Sequence, residues 1–433
     1  MITNKKFNLA KKLIPGGSQL FSKKPELFAP GKWPGYYSKA KGAYIYDLDK
    51  KKYLDMSIMN VGACILGYAD KDVDSSVKES IDNGVSSTIN AIEEYDLAKL
   101  LIKLHPWSSR VRYARGGGEA MSIAVRIART FTRRETVLFS GYHGWHDWYL
   151  SANIKSKKNL SKFLFDGLYP AGVPKNLINS SIPFDDRNIE KLKKKIKNKE
   201  NKIAAIIIEP ARGNSVDRNY ILELKKISKK IGAILIFDEI TSGFRMNAGG
   251  IHMLHNINPD IAVFAKSMSN GYAMSAIIGK EKVMQSANKT FISSTNWTER
   301  VGPSAALATI QKCINLDVFK HNIKIGLGMK NIWKELAKKH DLEIEISGIE
   351  TLPSFKFLTS ENIKMQTFFT REMLKHNILA FRQFRPCFAH KESHLSRYKK
   401  YADRIFRRIA QSEYKKIKKN SIAISSFSKL TKE

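Results

Sequence analysis

Asp238-Glu239-Ile240-Thr241-Ser242-Gly243-Phe244-Arg245 follows directly on the apolar run Ala233-Ile234-Leu235-Ile236-Phe237, and this junction decides the fold. The run is short, rich in aliphatic residues and preceded by Gly232, which predicts a strand buried on both faces, as in a parallel sheet. Such a strand delivers Asp238 and Glu239 at its C-terminal end, the edge at which open α/β sheets bind ligands. A second run, Ile261-Ala262-Val263-Phe264-Ala265, presents Lys266 in the same manner, ahead of the turn-forming Ser267-Met268-Ser269-Asn270-Gly271. A carboxylate at one strand end and an amine at another are the two groups that a pyridoxal phosphate site needs. The carboxylate holds a pyridine nitrogen protonated, and the lysine forms a Schiff base with the aldehyde. Lys266 is one of many lysines, and abundance alone would make it a surface residue; its place after an apolar strand and before a turn singles it out.

Four more segments bear on the same chemistry: Pro15-Gly16-Gly17, Gly116-Gly117-Gly118-Glu119-Ala120, Tyr142-His143-Gly144 and Ile207-Ile208-Glu209-Pro210. Together with the octapeptide and Lys266 they resemble, in order along the chain, the motifs of class III aminotransferases, and they are most similar to the glutamate-1-semialdehyde 2,1-aminomutase-like members. The resemblance implies an α/β chain of the fold-type-I pyridoxal-phosphate-dependent transferases. Its large domain carries a mostly parallel seven-stranded sheet flanked by helices, and both termini form a smaller α+β domain. On that basis residues 1–60 contribute to the small domain, 61–300 form the large cofactor-binding domain and 301–433 complete the small one.

The glycine triplet opens a helical pattern, Ala120, Ile123, Ala124, Ile127 and Phe131, so the amides around Gly117 and Gly118 become the unsatisfied donors of a helix N-terminus and suit a phosphate. An ordinary turn is the competing reading of three glycines. Relatives usually carry Ser-Gly-Thr here, so this chain lacks hydroxyls that could contact phosphate, and backbone donors carry more of the cup. The segment from Thr298 to Pro303 resembles the loop whose threonine reaches the phosphate of the neighbouring subunit, which implies a homodimer with shared active sites.

Tyr142 and His143 follow the strand-like Thr136-Val137-Leu138-Phe139. By analogy Tyr142 stacks on one face of the pyridine ring while Ile240 packs on the other; a plain core tyrosine is the alternative. His143 reads either as a substrate contact or as a hydrogen-bonded structural histidine, and His146 departs from the usual pattern with the same two readings. Asn214 corresponds to a residue near the phenolic oxygen of the cofactor, or forms a turn. Glu209 joins the cofactor-side network or closes its strand against a backbone amide. For substrate, Lys23 stands where relatives place an arginine, losing the bidentate fork for a carboxylate. Arg385, in Phe384-Arg385-Pro386, sits where an acidic residue is common in aminomutases and either receives an anionic substrate group or pairs with a surface carboxylate.

Composition permits all of this. The chain has 433 residues, 43% of them hydrophobic, and no stretch approaches the roughly 20 apolar residues of a membrane span. Met1 to Lys6 leads into no signal-type segment, so the expected compartment is the cytoplasm, with no membrane partner. Cys64, Cys313 and Cys387 lack metal-ligand spacing, and neither a metal site nor a disulfide framework is expected. The net charge of +34 raises nucleic acid as a partner. Its densest run, Lys191 to Lys202, instead predicts a solvated helix pinned by Ile189, Leu192 and Ile196, and no nucleic-acid motif accompanies it. The expected activity is transfer of an amino group between a small amine or amino acid and a carbonyl compound through the Lys266 Schiff base, with pyridoxal 5′-phosphate as cofactor. The alternative is glutamate-1-semialdehyde 2,1-aminomutase, an intramolecular transfer.

Overall fold

The computed structural model describes residues 2–164, 166–184, 188–211 and 217–425. Its strands are, in chain order, β1 (Tyr37–Lys41), β2 (Tyr44–Asp47), β3 (Lys52–Met56), β4 (Arg110–Ala114), β5 (Thr136–Ser140), β6 (Ser181–Pro183) and β7 (Ile203–Ile208), followed by β8 (Ile234–Asp238), β9 (Ile261–Phe264), β10 (Ser275–Gly279), β11 (Ile344–Ser347), β12 (Ser354–Phe357) and β13 (Ile378–Ala380). The chain divides into two compact units, one of residues 71–319 and one of residues 1–70 with 320–433.

Residues 71–319 are built on a seven-stranded sheet ordered β4-β10-β9-β8-β7-β5-β6. Strands β6, β5, β7, β8 and β9 run parallel, and β10 is antiparallel to both β9 and β4. Every residue of β7, β8 and β9 is buried, which is why these strands read as unbroken apolar runs rather than alternating ones. The crossover between β7 and β8 is the helix Arg218–Ile231. Asp217 caps its start by accepting the Tyr220 amide, and Gly232, at φ 67°, ends it in the left-handed conformation that glycine adopts without strain. Ile221 and Leu224 of that helix, with Leu192 and Ile196 of the helix Ile189–Ile196, pack on Leu138, Ile206, Leu235 and Phe237 of the sheet. The lysines between them, Lys193, Lys194 and Lys195, are exposed, as the stripe pattern predicted. On another core cluster Phe244, Phe264, Met268 and Met274 meet Leu97, Leu101 and Ile310.

The other unit has a four-stranded sheet ordered β1-β2-β3-β13, with β13 parallel to β3, and a separate antiparallel pair, β11 and β12. The helix Glu392–Ala410 carries Leu395, Tyr398, Ala402, Ile405 and Ile409 at helical spacing, and all five are buried. They join Trp333, Phe355, Phe357, Phe369, Phe384 and Phe406 in one aromatic core. Cys64, Cys313 and Cys387 are buried free thiols. Among the described residues no helix is long and apolar enough to cross a membrane.

Candidate active site

Four parallel strands end side by side, and each end carries a polar residue. β8 closes on Asp238, β9 is followed by Lys266, β7 by Glu209, and β5 by the turn Gly141-Tyr142-His143. Asp238 is only 2% exposed, yet both carboxylate oxygens are engaged. Oδ1 accepts the Ile240 amide at 3.0 Å, and Oδ2 accepts Nδ1–H of the equally buried His143 at 2.7 Å. A buried carboxylate survives only when its lone pairs are met in this way. The opposite ring nitrogen of His143, Nε2, finds no partner among the described residues. One strand over, Lys266 sits at φ 49°, a left-handed conformation that costs a non-glycine residue about 1–2 kcal/mol. Its Nζ donates to Thr241 Oγ1 at 2.9 Å, so the octapeptide holds the lysine as well as supplying the carboxylate.

The helix Gly117–Thr132 points its N-terminus toward the same turns. Glu119 Oε2 accepts the amides of Gly116 and Arg115, while the next amides, at the start of the helix, have no acceptor within it. A Cβ on Gly117 would lie 2.9 Å from Ile240 Cδ1, close enough that the isoleucine side chain would have to shift. The helix start and the residue two past Asp238 are therefore in contact. A Cβ on Gly144 would lie 2.9 Å from Gly118 Cα, so the turn after β5 closes on the helix start as well. Glu209 Oε2 accepts the Tyr142 amide at 2.8 Å and braces that turn, and Tyr142, half-buried, meets Tyr149 edge-on at 5.9 Å.

A constellation of this kind sits in a recognisable lineage. The family profile described as aminotransferase class-III matches residues 29–381. The chain belongs to the class-III aminotransferases. Among curated relatives, it is 29% identical over 388 residues to a 3-aminobutyryl-CoA aminotransferase of Cloacimonas acidaminovorans (strain Evry), an alignment covering 86% of this chain and 88% of the relative. It is 32% identical over 424 residues to a glutamate-1-semialdehyde 2,1-aminomutase of Nitrosopumilus maritimus (strain SCM1), with 92% and 97% covered. The fold matches the pyridoxal-phosphate form of the FumI protein from Sphingopyxis sp. MTA144 with a TM-score of 0.87 at 21% identity, over 96% of this chain and 99% of that one. As a class-III aminotransferase the chain has the fold-type-I architecture and is an enzyme that works with pyridoxal 5′-phosphate.

The residues present fit that cofactor. A buried, doubly hydrogen-bonded carboxylate, a half-buried lysine amine, and a helix start stripped of side chains at Gly117 and Gly118 are gathered at one edge of the sheet. Among the described residues no cluster of His, Cys, Asp and Glu is placed to hold a metal.

Of the residues singled out in the sequence, Asp238, Lys266, Ile240, Gly117, Gly118, Tyr142, His143 and Glu209 all belong to these strand ends and the facing helix start. Thr298 ends the short helical turn Thr295–Thr298, exposed, its Oγ1 donating to Thr295 O. Arg115, directly before the glycine triplet, ties that loop down through the carbonyls of Trp297 and Glu299 and an ion pair with Glu299. Lys23 and Arg385 lie in the unit formed by both termini. Lys23 is exposed in the turn Phe21–Lys23, and Arg385 Nη1 donates to the carbonyls of Pro353 and Phe384. Asn214 lies outside the described residues.

Two features escaped sequence reasoning. Thr241 holds Lys266, a contact that only adjacent parallel strands create. Glu239, fully buried beside Asp238, accepts from Ser242 Oγ, the amides of Ile251 and His252, and His252 Nδ1. Trp107 Nε1 donates to His252 Nε2, which fixes the His252 tautomer with its proton toward Glu239. Burial raises the Glu239 pKa, but the His252 and Ser242 hydrogen bonds outweigh it and hold the carboxyl below its ordinary value.

Proposed function

We propose that this enzyme transfers an amino group between a small amine or amino acid and a separate carbonyl compound, with Lys266 and Asp238 as its catalytic residues. The observation that carries the assignment of roles is the placement of these two groups on neighbouring parallel strand ends, each held by a specific partner. Bound pyridoxal phosphate supplies an electron-poor ring that stabilises negative charge on the substrate carbon. Lys266 Nζ, held on Thr241, would hold the cofactor's aldehyde, and the same amine is placed to carry a proton away from the substrate carbon. Asp238 would hold the proton on the ring nitrogen, and the His143 hydrogen bond keeps the carboxylate oriented for that role. The amides of Gly117 and Gly118 would bind the phosphate, and Tyr142 and Ile240 would flank the ring.

The partner reading extends this to a homodimer with shared sites. Ile89, Ile92 and Tyr95 are 79%, 61% and 62% exposed, a concentration of apolar surface that suits a second copy of the chain. Arg300 links this segment to the Thr298 loop through Glu93, Asn83 and Val85. Thr298 of one copy then completes the phosphate cup of the other. Mixing Lys266→Ala chains with Thr298→Ala chains at limiting cofactor tests it, because both lesions fall in one site of the heterodimer and leave the other site intact. Recovered activity supports the shared site; none in proven heterodimers removes it.

Lys23 in place of an arginine and Arg385 in place of an acidic residue favour a transaminase over an aminomutase, whereas the relative from Nitrosopumilus maritimus favours the aminomutase. One experiment separates them. The purified cofactor-loaded enzyme is given single amino donors. A transaminase stops after one half-reaction until a carbonyl acceptor is added, and an aminomutase isomerises its substrate with no acceptor present.

A further inference from the structure

The helix Gly117–Thr132 offers a phosphate its first amides, but Gly116, Gly117 and Gly118 offer it no side-chain donor. The space beside Gly118 is nevertheless filled. A Cβ on Gly118 would lie 3.1 Å from both Cε1 and Nδ1 of His146, so that edge of the imidazole faces the helix start. Nδ1 is buried, and it finds no hydrogen-bond partner among the described residues. A ring nitrogen closed off from solvent and left unpaired is unfavourable, and an acceptor beside Gly118 would satisfy it. The ring is also braced. Trp145 stacks on it at 4.4 Å and 27°, and the positive-φ Gly144 lets the turn approach Gly118 more closely than any side chain would allow.

We propose that His146 is a phosphate ligand of the cofactor, its Nδ1–H supplying beside Gly118 the side-chain hydrogen bond that the glycine triplet lacks. The inference rests on the pyridoxal phosphate reading of this site. A hydrogen bond between imidazole and phosphate is charge-assisted, and it lies beside amides that already favour an anion. The charged groups acting on the ring are Glu119 and Asp147. Burial holds the His146 pKa below its ordinary value despite the two carboxylates, which raise it, and a bound phosphate would add to their side. Glu119 is itself committed to the Gly116 and Arg115 amides, which leaves Nδ1 to the ligand.

The test uses apoenzyme, titrated separately with pyridoxal phosphate, with pyridoxal and with inorganic phosphate, and followed by tryptophan fluorescence. His146→Ala is expected to weaken pyridoxal phosphate by about 10–100-fold and inorganic phosphate in parallel, with pyridoxal changed less than twofold. His146→Gln keeps a donor and most of the volume, and should fall between wild type and His146→Ala. In the double variant Gly118→Thr/His146→Ala a hydroxyl replaces the ring, and affinity should return to within about threefold of wild type. Gly118→Thr alone must displace the ring and should bind poorly. Equal binding of pyridoxal phosphate by wild type and His146→Ala would overturn the proposal, as would an equal loss for pyridoxal. If wild type bound pyridoxal phosphate without a borohydride-reducible link to Lys266, the functional reading would fail instead, whatever the His146 variants did.

Discussion

Asp238→Asn is the sharpest test of the chemistry, because the structure shows why the variant should fold yet fail. Both oxygens of Asp238 accept N–H groups, from Ile240 and from His143. An asparagine keeps its oxygen on the Ile240 amide and turns its NH₂ toward His143. His143 can meet that donor by moving its own proton from Nδ1 to Nε2, a nitrogen without a partner among the described residues. The structural cost is then about one neutral hydrogen bond, roughly 1 kcal/mol. What cannot be replaced is the negative charge. Opposite unit charges about 4 Å apart attract by about 4 kcal/mol at the effective dielectric of a protein site. Losing that support for a protonated ring nitrogen corresponds to about a thousandfold in rate. Single-turnover conversion of the pyridoxal to the pyridoxamine form, followed by absorbance in stopped flow, measures this directly. Cofactor should remain bound and the melting temperature should drop by only a few degrees. A rate within about threefold of wild type, with cofactor in place, would refute the role given to Asp238.

Thr241→Val, nearly isosteric, removes the acceptor that holds Lys266 Nζ; the proton-transfer step should slow about fivefold, for roughly 1 kcal/mol, and Thr241→Ser should restore it, as read from the isotope effect with α-deuterated substrate. Gly250→Ala places a Cβ 2.3 Å from His252 Nδ1 and 2.9 Å from Glu239 Oε1, inside the buried network next to the site. It should destabilise the fold by about 1–3 kcal/mol, and an unchanged urea midpoint would contradict that packing. The Glu239 carboxyl is held below its ordinary pKa in the folded protein, so its contribution to stability is complete above the unfolded value of about 4.3 and is lost as pH falls through the lower folded value. Melting temperatures should therefore decline on acidification below that point, and Glu239→Gln should flatten the decline.

The parts of this protein legible in its sequence are those that local chain physics dictates. A short, unbroken aliphatic run reads as a strand buried on both faces, so Asp238 and Lys266 were identifiable as strand-end groups from the sequence. The apolar period after Gly118 announced a helix, and a helix does begin at Gly117. The apolar stripe Ile189, Leu192 and Ile196 likewise announced a helix with its lysines turned to solvent.

Tertiary structure decided which polar groups meet. His143 and Asp238 are 95 residues apart in sequence, and no local pattern pairs them; they touch because β5 and β8 both flank β7 in one parallel sheet. The same holds for Lys266 with Thr241, for Glu239 with His252 and Trp107, and for His146 with Gly118. Hydrophobic periodicity is a property of neighbours along the chain, so a sequence carries it openly. A hydrogen bond between buried polar groups depends on distance and direction across elements, and these exist only once the sheet has assembled and water has been excluded.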